Sequence, residues 1–436
     1  MTPLYDAIRA YAAQKPTRFH MPGHKGSFLP VSELQSIAPL DVTEVEPTGD
    51  LFSGGEPFDT AQKLWAERFG MDNCLFLTGG STLGLHAALA LFCRPGDQVL
   101  IDRGCHRAVY NALALLDLEP VYLPRPWRAG EGIAGPISPQ DVENLLNPHP
   151  NIKTICITSP TYSGVLSDIK ELSHIIHARG GNLIVDGAHG AHLPFLGVDA
   201  FSGCDALICS AHKTLPALGQ SALLFTNGLD PRRVRQMTSV FGSSSPSYPM
   251  MISLDCARDY LDGKGSEEYR RVARRTAALR AAFPSLHEGE LRLDPTRLTL
   301  TSPDGNALAQ ALEGENIWPE MADSGHVVLI LTAQDSEDDL HRLEEALQRH
   351  RDLLGTPPIL PPPPMPKSVR SLREALFAPV ERLPLEYCLG RVAAGQLAPY
   401  PPGVPVVAPG EVIGEKELAY LREIGYNNSD VPVMCP

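Results

Sequence analysis

Lys213 ends an apolar run, CDALICSAHKTLPALG (204–219), where a strand-like stretch gives way to polar residues. A buried amine without partners tends to lose its proton, so a lysine here calls for a partner or for covalent chemistry. Three more polar clusters follow apolar stretches. LTGGSTLG (77–84) puts Gly79, Gly80, Ser81 and Thr82 between a strand and a helix pattern. Two glycines allow close backbone approach, Ser81 can cap the helix, and free N–H groups there can face an anion. RGCHRAV (103–109) sets His106 just before a helix, and LIVDGAHGAH (183–192) ends a strand on Asp186, with His189 and His192 beyond.

Each cluster alone has an ordinary reading. Ser81 and His106 serve as helix caps, and Lys213 reaches solvent from a strand end. Asp186 with His189 and His192 resembles a metal triad, but the spacing through two glycines is not helical and no second cluster adds ligands. His20 and His24 share that weakness. The turn at 79–82 is no P-loop, because no Gly-Lys-Ser/Thr follows. Together, an anion cradle, a strand-end aspartate and a later strand-end lysine meet the needs of pyridoxal 5′-phosphate. The lysine forms an imine with the aldehyde, the carboxylate keeps the ring nitrogen protonated, and the helix terminus takes the phosphate.

The elements that must hold these groups are legible around them. Strand and helix patterns alternate over roughly 70–225, which predicts an α/β fold with a mostly parallel sheet covered by helices. In such sheets ligands gather at the carboxyl ends of strands. One helix is well marked: Asp168 as N-cap, Leu172, Ile175 and Ile176 on one face, and Gly180 at its stop. Beyond residue 255, charged helical sequence and alternating runs such as LRLDPTRLTL and HVVLILT predict a smaller α+β domain. A Pro-rich linker (356–366) follows, then an apolar, patterned tail.

The chain of 436 residues is 43% hydrophobic and 20% charged, an ordinary globular balance, with a net charge of −14. That charge argues against nucleic acid or anionic membrane as a partner and favours the arrival of cationic small molecules. Nine scattered cysteines without CxxC spacing point to a reducing compartment. With no signal-like start and no apolar run near ~18 residues, a cytoplasmic protein is expected.

TPLYDAI with RFHMPGHKG, DVTEVE with DLF, GGSTLG, CHRAV, TSPTYSGVLSDI, VDGAHGAH, SAHKTLPALGQ, SSSPSY and PYPPGVPVVAPGE occur in that order. Together they resemble the short form of the Orn/Lys/Arg decarboxylase family, fold-type-I enzymes with an aspartate-aminotransferase-like large domain. The resemblance implies an N-terminal arm (1–63), a cofactor-binding domain (64–255), a small domain (256–355), the linker and a C-terminal decarboxylase subdomain (367–436). Lys213 then matches the imine-forming lysine, and Ser210 and His212 match residues near the phosphate. Asp186 matches the ring-nitrogen partner, Ala188 packs on one ring face with His189 beside it, and His106 stacks on the other face. Gly80, Ser81 and Thr82 match the phosphate cradle. Ser243 and Ser244 match a segment that reaches the phosphate of a partner subunit, which implies a homodimer or larger homo-oligomer. Glu411 aligns with an acid that meets the distal amine of the substrate, and Glu46 and Asp50 are further acidic candidates.

Two departures stand out. Gly187 replaces the acid of the family's usual DEAH, and the N-terminal wing domain of larger members, with the acid-stress assembly built on it, is not expected here. The implied reaction is decarboxylation of arginine, lysine or ornithine, with a lean to arginine and its product agmatine, in polyamine metabolism. Lys213 or His212 would return the proton to the α-carbon. The rival readings are transamination or oxidative deamination, and a non-catalytic regulatory paralogue.

Overall fold

The computed structural model describes residues 1–399, 403–426 and 428–435, so positions 400–402 of the motif at 399–411 lie outside it. The chain runs α1 (Pro3–Ala13), an arm of turns, α2 (Phe58–Phe69), β1 (Asn73–Leu77), α3 (Gly80–Phe92), β2 (Gln98–Asp102) and α4 (Arg107–Leu116). Next come β3 (Glu119–Leu123), α5 (Pro139–Leu146), β4 (Thr154–Thr158), α6 (Ile169–His177), β5 (Asn182–Asp186), β6 (Ala206–Cys209) and α7 (Ala211–Thr214). It continues with β7 (Ala222–Thr226), α8 (Pro231–Phe241), α9 (Tyr248–Tyr260), α10 (Ser266–Ala282), β8 (Arg297–Thr301), α11 (Gly305–Gly314), β9 (Met321–Ala322) and β10 (His326–Ile330). The last elements are α12 (Glu337–Arg349), α13 (Leu372–Leu376), β11 (Val380–Leu383), α14 (Glu415–Glu423) and β12 (Val431–Met434).

Local signals set the ends of these elements. Asp168 accepts the Glu171 N–H at 3.0 Å to start α6, and Gly180, at φ +66°, closes the turn after it. Ser138 caps α5 by accepting the Asp141 N–H, with Pro139 in the first turn, where its missing N–H costs nothing. The segment 356–366 contains no helix or strand.

The chain divides into two compact units, Met1–Leu91 with Ile184–Arg270 and Phe92–Leu183 with Arg271–Pro436. In the first, the strand order is β1–β7–β6–β5. β5 and β6 are parallel, while β7 runs antiparallel to both β6 and β1. β1, β5 and β6 therefore point the same way, and their carboxyl ends share one edge. Their cores are fully apolar: Phe76, Val185, Leu207, Ile208 and Leu224 are all solvent-inaccessible. Burying each such side chain contributes about 1.5–3 kcal/mol, which outweighs the modest helix and strand propensities around it.

In the second unit β3–β2–β4 are parallel. A separate antiparallel sheet, β8–β10–β9, packs Leu298, Leu300, Val327 and Leu329 in one apolar core with Leu308, Leu312, Leu340, Leu343 and Leu347. This is the expected α+β part. All five residues of β8, within the alternating run LRLDPTRLTL, are buried. The polar face is covered because Thr299 donates to the Ser163 carbonyl and Gly164 lies against Arg297. The C-terminal part has its own core, including Leu397, Val407, Ile413, Leu421, Val431 and Val433. Among the described residues no helix is long and apolar enough to cross a membrane.

Candidate active site

The shared carboxyl edge of β1, β5 and β6 carries most of the expected groups. After β1, Gly80 adopts φ +67° and opens α3. The expectation that Ser81 caps this helix is corrected: Gly80 takes the left-handed turn, so Ser81 lies inside the first helical turn. Its hydroxyl meets that of Ser210, just past β6, at 2.7 Å. A Cβ on Gly80 would come no nearer to any atom than 3.7 Å from the Gln220 carbonyl, so the face of this turn is open. The first N–H groups of a helix have no partner within it, and beside two hydroxyls, with the helix dipole, such a turn can receive an anion. Thr82, in the same turn, is exposed.

Asp186 ends β5 and is only 3% exposed; its carboxylate accepts the Ala188 N–H at 3.2 Å. β6, the parallel neighbour, leads through Ser210 into α7, whose third residue is Lys213. Its Nζ lies 3.0 Å from His189 Nε2, and His189 is buried. His212 Nδ1 donates to the Ser221 carbonyl at 2.8 Å, so Nε2 carries the lone pair of the neutral ring. His192, read above beside Asp186 and His189, is buried with its ring stacked on Tyr269 at 5.4 Å.

Gly187 has the packing of a filled position. A Cβ there would lie 2.6 Å from Leu207 Cδ1 and 3.1 Å from Phe201 Cε1. Below the edge, burial holds the Cys209 thiol well above its usual range, with Cys204 and Asp186 adding to the shift, and Cys204 is pushed up to about 12. Thiols kept neutral in this way are inert as nucleophiles.

His106 lies in the second unit. It is the N-cap of α4, its Nδ1 accepting the Ala108 N–H at 3.2 Å, so the ring proton of the neutral form sits on Nε2. Glu411, in the same unit, is 1% exposed and held in a two-point contact by Arg103 at 2.8 and 2.9 Å. It also accepts the Ala408 N–H at 2.7 Å. Burial raises the Glu411 carboxyl despite the opposing pull of Arg103.

The family whose model is described as Orn/Lys/Arg decarboxylase, major domain, matches residues 2–300, and its C-terminal domain matches residues 362–433. The chain belongs to the Orn/Lys/Arg decarboxylase family. It is similar to an arginine decarboxylase of Bacillus subtilis (strain 168), 30% identical over 471 residues, covering 100% of this chain and 95% of that protein. The constitutive lysine decarboxylase of Escherichia coli (strain K12) is 23% identical over 557 residues, covering 96% of this chain and 76% of that protein. The crystal structure of a Francisella novicida lysine decarboxylase superposes with a TM-score of 0.84 at 19% identity, covering 100% of this chain and 81% of the other. The fold is thus fold type I, and this Orn/Lys/Arg decarboxylase depends on pyridoxal 5′-phosphate. The residues of the first unit are compatible with that cofactor: a left-handed glycine and two paired hydroxyls at the start of α3, a buried carboxylate at Asp186, and an amine at Lys213.

The remaining expected residues lie in the arm and in the loop between α8 and α9. Glu46 is exposed in a short turn, and the Asp50 carboxylate accepts from Phe52 N–H, Ser53 N–H and the Ser53 hydroxyl. Burial opposes ionisation of Asp50, but these Ser53 and Phe52 hydrogen bonds hold its carboxyl below the usual range. Ser243 and Ser244 are exposed between α8 and α9. No local pattern of residues marks three pairings: Lys213 with His189, Ser81 with Ser210, and Arg103 with Glu411. Each joins residues far apart in the chain.

Proposed function

We propose that this decarboxylase acts on L-arginine, releasing carbon dioxide and agmatine, which feeds polyamine metabolism. The observation that carries the chemistry is that Asp186 ends one strand and Lys213 lies just past the end of its parallel neighbour. The lean to arginine is supported by the 30% identity to the Bacillus subtilis arginine decarboxylase along the whole chain, against 23% for the Escherichia coli lysine decarboxylase. The net charge of −14 supports a cationic substrate.

When bound, pyridoxal 5′-phosphate supplies an electron sink for the bond broken at the substrate α-carbon. Gly80, Ser81, Thr82 and Ser210 hold an anion at the start of α3. Asp186, buried and fixed by the Ala188 N–H, is the carboxylate that would hold a protonated ring nitrogen. Ala188 and His106 are the residues we assign to the ring faces. Lys213 Nζ holds the proton that returns to the α-carbon, and His189 Nε2 receives a hydrogen bond from that amine and orients it. A positioned general acid contributes roughly 10²–10⁴ in rate; His212 is the second candidate for that step. Ser243 and Ser244 are assigned to a neighbouring subunit's phosphate, within a homodimer. The exposed Phe19, Met21 and Phe28 of the arm, 92%, 51% and 68% accessible, support a covering partner.

The test is a parallel amine-product assay with arginine, lysine and ornithine, with Lys213→Ala as the blank. The reading expects agmatine and carbon dioxide in equal amounts from arginine. Cadaverine as the preferred product would move the substrate to lysine. A keto acid without carbon dioxide, or full turnover by Lys213→Ala, would overturn the reaction itself.

A further inference from the structure

Arg103 opens the four-residue loop that leads from β2 to His106, and that loop is gripped from two sides. On the side of the sheet, buried Asp102 accepts the Gly104 N–H at 2.8 Å and is itself held by Arg125. The Arg103 N–H donates to the Leu123 carbonyl at 2.9 Å, and Tyr110 OH donates to the Arg103 carbonyl at 2.9 Å. On the other side stands the C-terminal domain. Glu411 takes both guanidinium arms of Arg103, the Val406 carbonyl takes a third bond at 2.9 Å, and the guanidinium lies 4.7 Å from the Tyr122 ring centre.

The same domain also holds α4 at both ends. The Gly403 carbonyl accepts the Arg107 N–H at 3.2 Å, and Gln396 Nε2 reaches the Asn111 side chain at 2.9 Å. Arg373 donates to the carbonyls of Ala114 and Leu115, at 3.2 and 3.1 Å, in the last turn of the helix. A cation on terminal carbonyls satisfies acceptors that have no partner within the helix. His106 is bound to the first turn of α4 through its Nδ1, so its ring follows wherever loop and helix are set.

We infer that the C-terminal domain positions His106, with Arg103 and Glu411 as the positioning pair and Arg373 as a second hold. The inference rests on the reading that the His106 ring lies against the cofactor. It gives Glu411 a partner within its own chain in place of the substrate's distal amine. Both Glu411 oxygens are engaged and the side chain is 1% exposed, so a substrate would have to break a buried ion pair to reach it. The role is one of orientation: a ring that must lie flat on another loses its effect when its support shifts by a fraction of an ångström.

The experiment is a titration of apo-protein with pyridoxal 5′-phosphate, followed by the visible circular dichroism of the bound cofactor, for Glu411→Gln, Arg373→Met, His106→Ala and the double variant Glu411→Gln/His106→Ala. Val433→Ala, which removes buried volume in the same domain away from the loop, is the stability control. Glu411→Gln is expected to weaken cofactor binding about tenfold and to alter the dichroic band, as for residues coupled through a shared hydrogen-bond network or backbone shift. Arg373→Met, at an exposed site that keeps the fold, shifts both in the same direction by less. In the His106→Ala background Glu411→Gln changes affinity by less than about twofold, because its effect passes through the missing ring. Equal loss in both backgrounds, or the same loss from Val433→Ala, overturns the inference while leaving the role of His106 standing. A His106→Ala variant with parental affinity and dichroism overturns the reading of His106 and the inference with it.

Discussion

Replacing Gly187 with alanine adds one methyl group beside Asp186, and the structure sets what that costs. The backbone there is not in the left-handed region, so the penalty is steric alone. The new Cβ would lie 2.6 Å from Leu207 Cδ1 and 3.1 and 3.3 Å from Phe201 Cε1 and Cζ. A leucine methyl can swing aside where there is room, but Leu207 is fully buried and Phe201 is 6% exposed. The Gly187 N–H is bonded to the Ile208 carbonyl at 2.8 Å, so the backbone resists retreat. Overpacking of this kind costs about 1–3 kcal/mol, and each kcal/mol lowers Tm by about 2–4 °C in a domain of ~150–250 residues. Truncating Leu207 to alanine alone costs about 2–5 kcal/mol through the cavity it leaves. Combined, the two changes should cost less than their sum, by roughly 1–3 kcal/mol, because the added methyl occupies the vacated space. Thermal and urea unfolding of the four proteins reads this cycle, and cofactor titration shows whether Asp186 has moved. A Gly187→Ala protein as stable as its parent, or a strictly additive cycle, would refute the packing argument.

Two further predictions concern pH. Burial opposes a charge on His326, but its hydrogen bond to Asp323 at 3.0 Å, the charge of that carboxylate and the Glu131 carbonyl raise its pKa above the usual value of 6.5. The folded state therefore binds a proton that the unfolded chain releases. This stabilisation is complete below pH 6.5 and is lost as pH rises through the folded value, with a slope of at most about 1.4 kcal/mol per pH unit. Melts from pH 6 to 9 should show it, and His326→Gln should remove it. Asp255 behaves as a raised acid: burial pushes its carboxyl up to about 6, against the Leu4 and Tyr5 N–H groups that it accepts at 2.9 and 3.1 Å. Its contribution is complete below pH 3.8 and is lost as pH rises through about 6, a difference of roughly 3 kcal/mol. Asp255→Asn should flatten stability over that interval, and an unchanged slope in urea melts would count against the assignment.

The elements around the site were legible because each carries a local cause. Asp168 and Gly180 bracket α6, Pro139 follows its capping serine, and the β-branched run at 154–158 is a strand in the core. Lys213 and Asp186 could be picked out because a polar residue closing an apolar run is costly unless it has work to do, and Ser81 because it follows two glycines at the start of a helix pattern. What the sequence hid was pairing at a distance. Arg103 reads as an ordinary charge after a strand, and nothing local marks Glu411, 308 positions away, as its partner. The reversed direction of β7 was hidden for the same reason, since a short apolar strand reads alike in either sense. The turn at Gly80 shows a subtler limit: Ser81 looked like a cap by type, but the left-handed glycine before it carries the helix start one residue earlier.

The buried thiols beneath the edge also give the molecule an internal reporter. Cys204 and Cys209 flank and occupy β6, the strand that delivers Lys213, and both are closed to solvent, whereas Cys435 near the C-terminus is exposed. A thiol reagent will therefore mark Cys435 at once and reach Cys209 only when β6 opens. Its labelling rate measures the free energy of that opening directly. Because the same strand supports the cofactor's lysine, slowing of that rate by pyridoxal 5′-phosphate would time how firmly the bound cofactor locks the sheet.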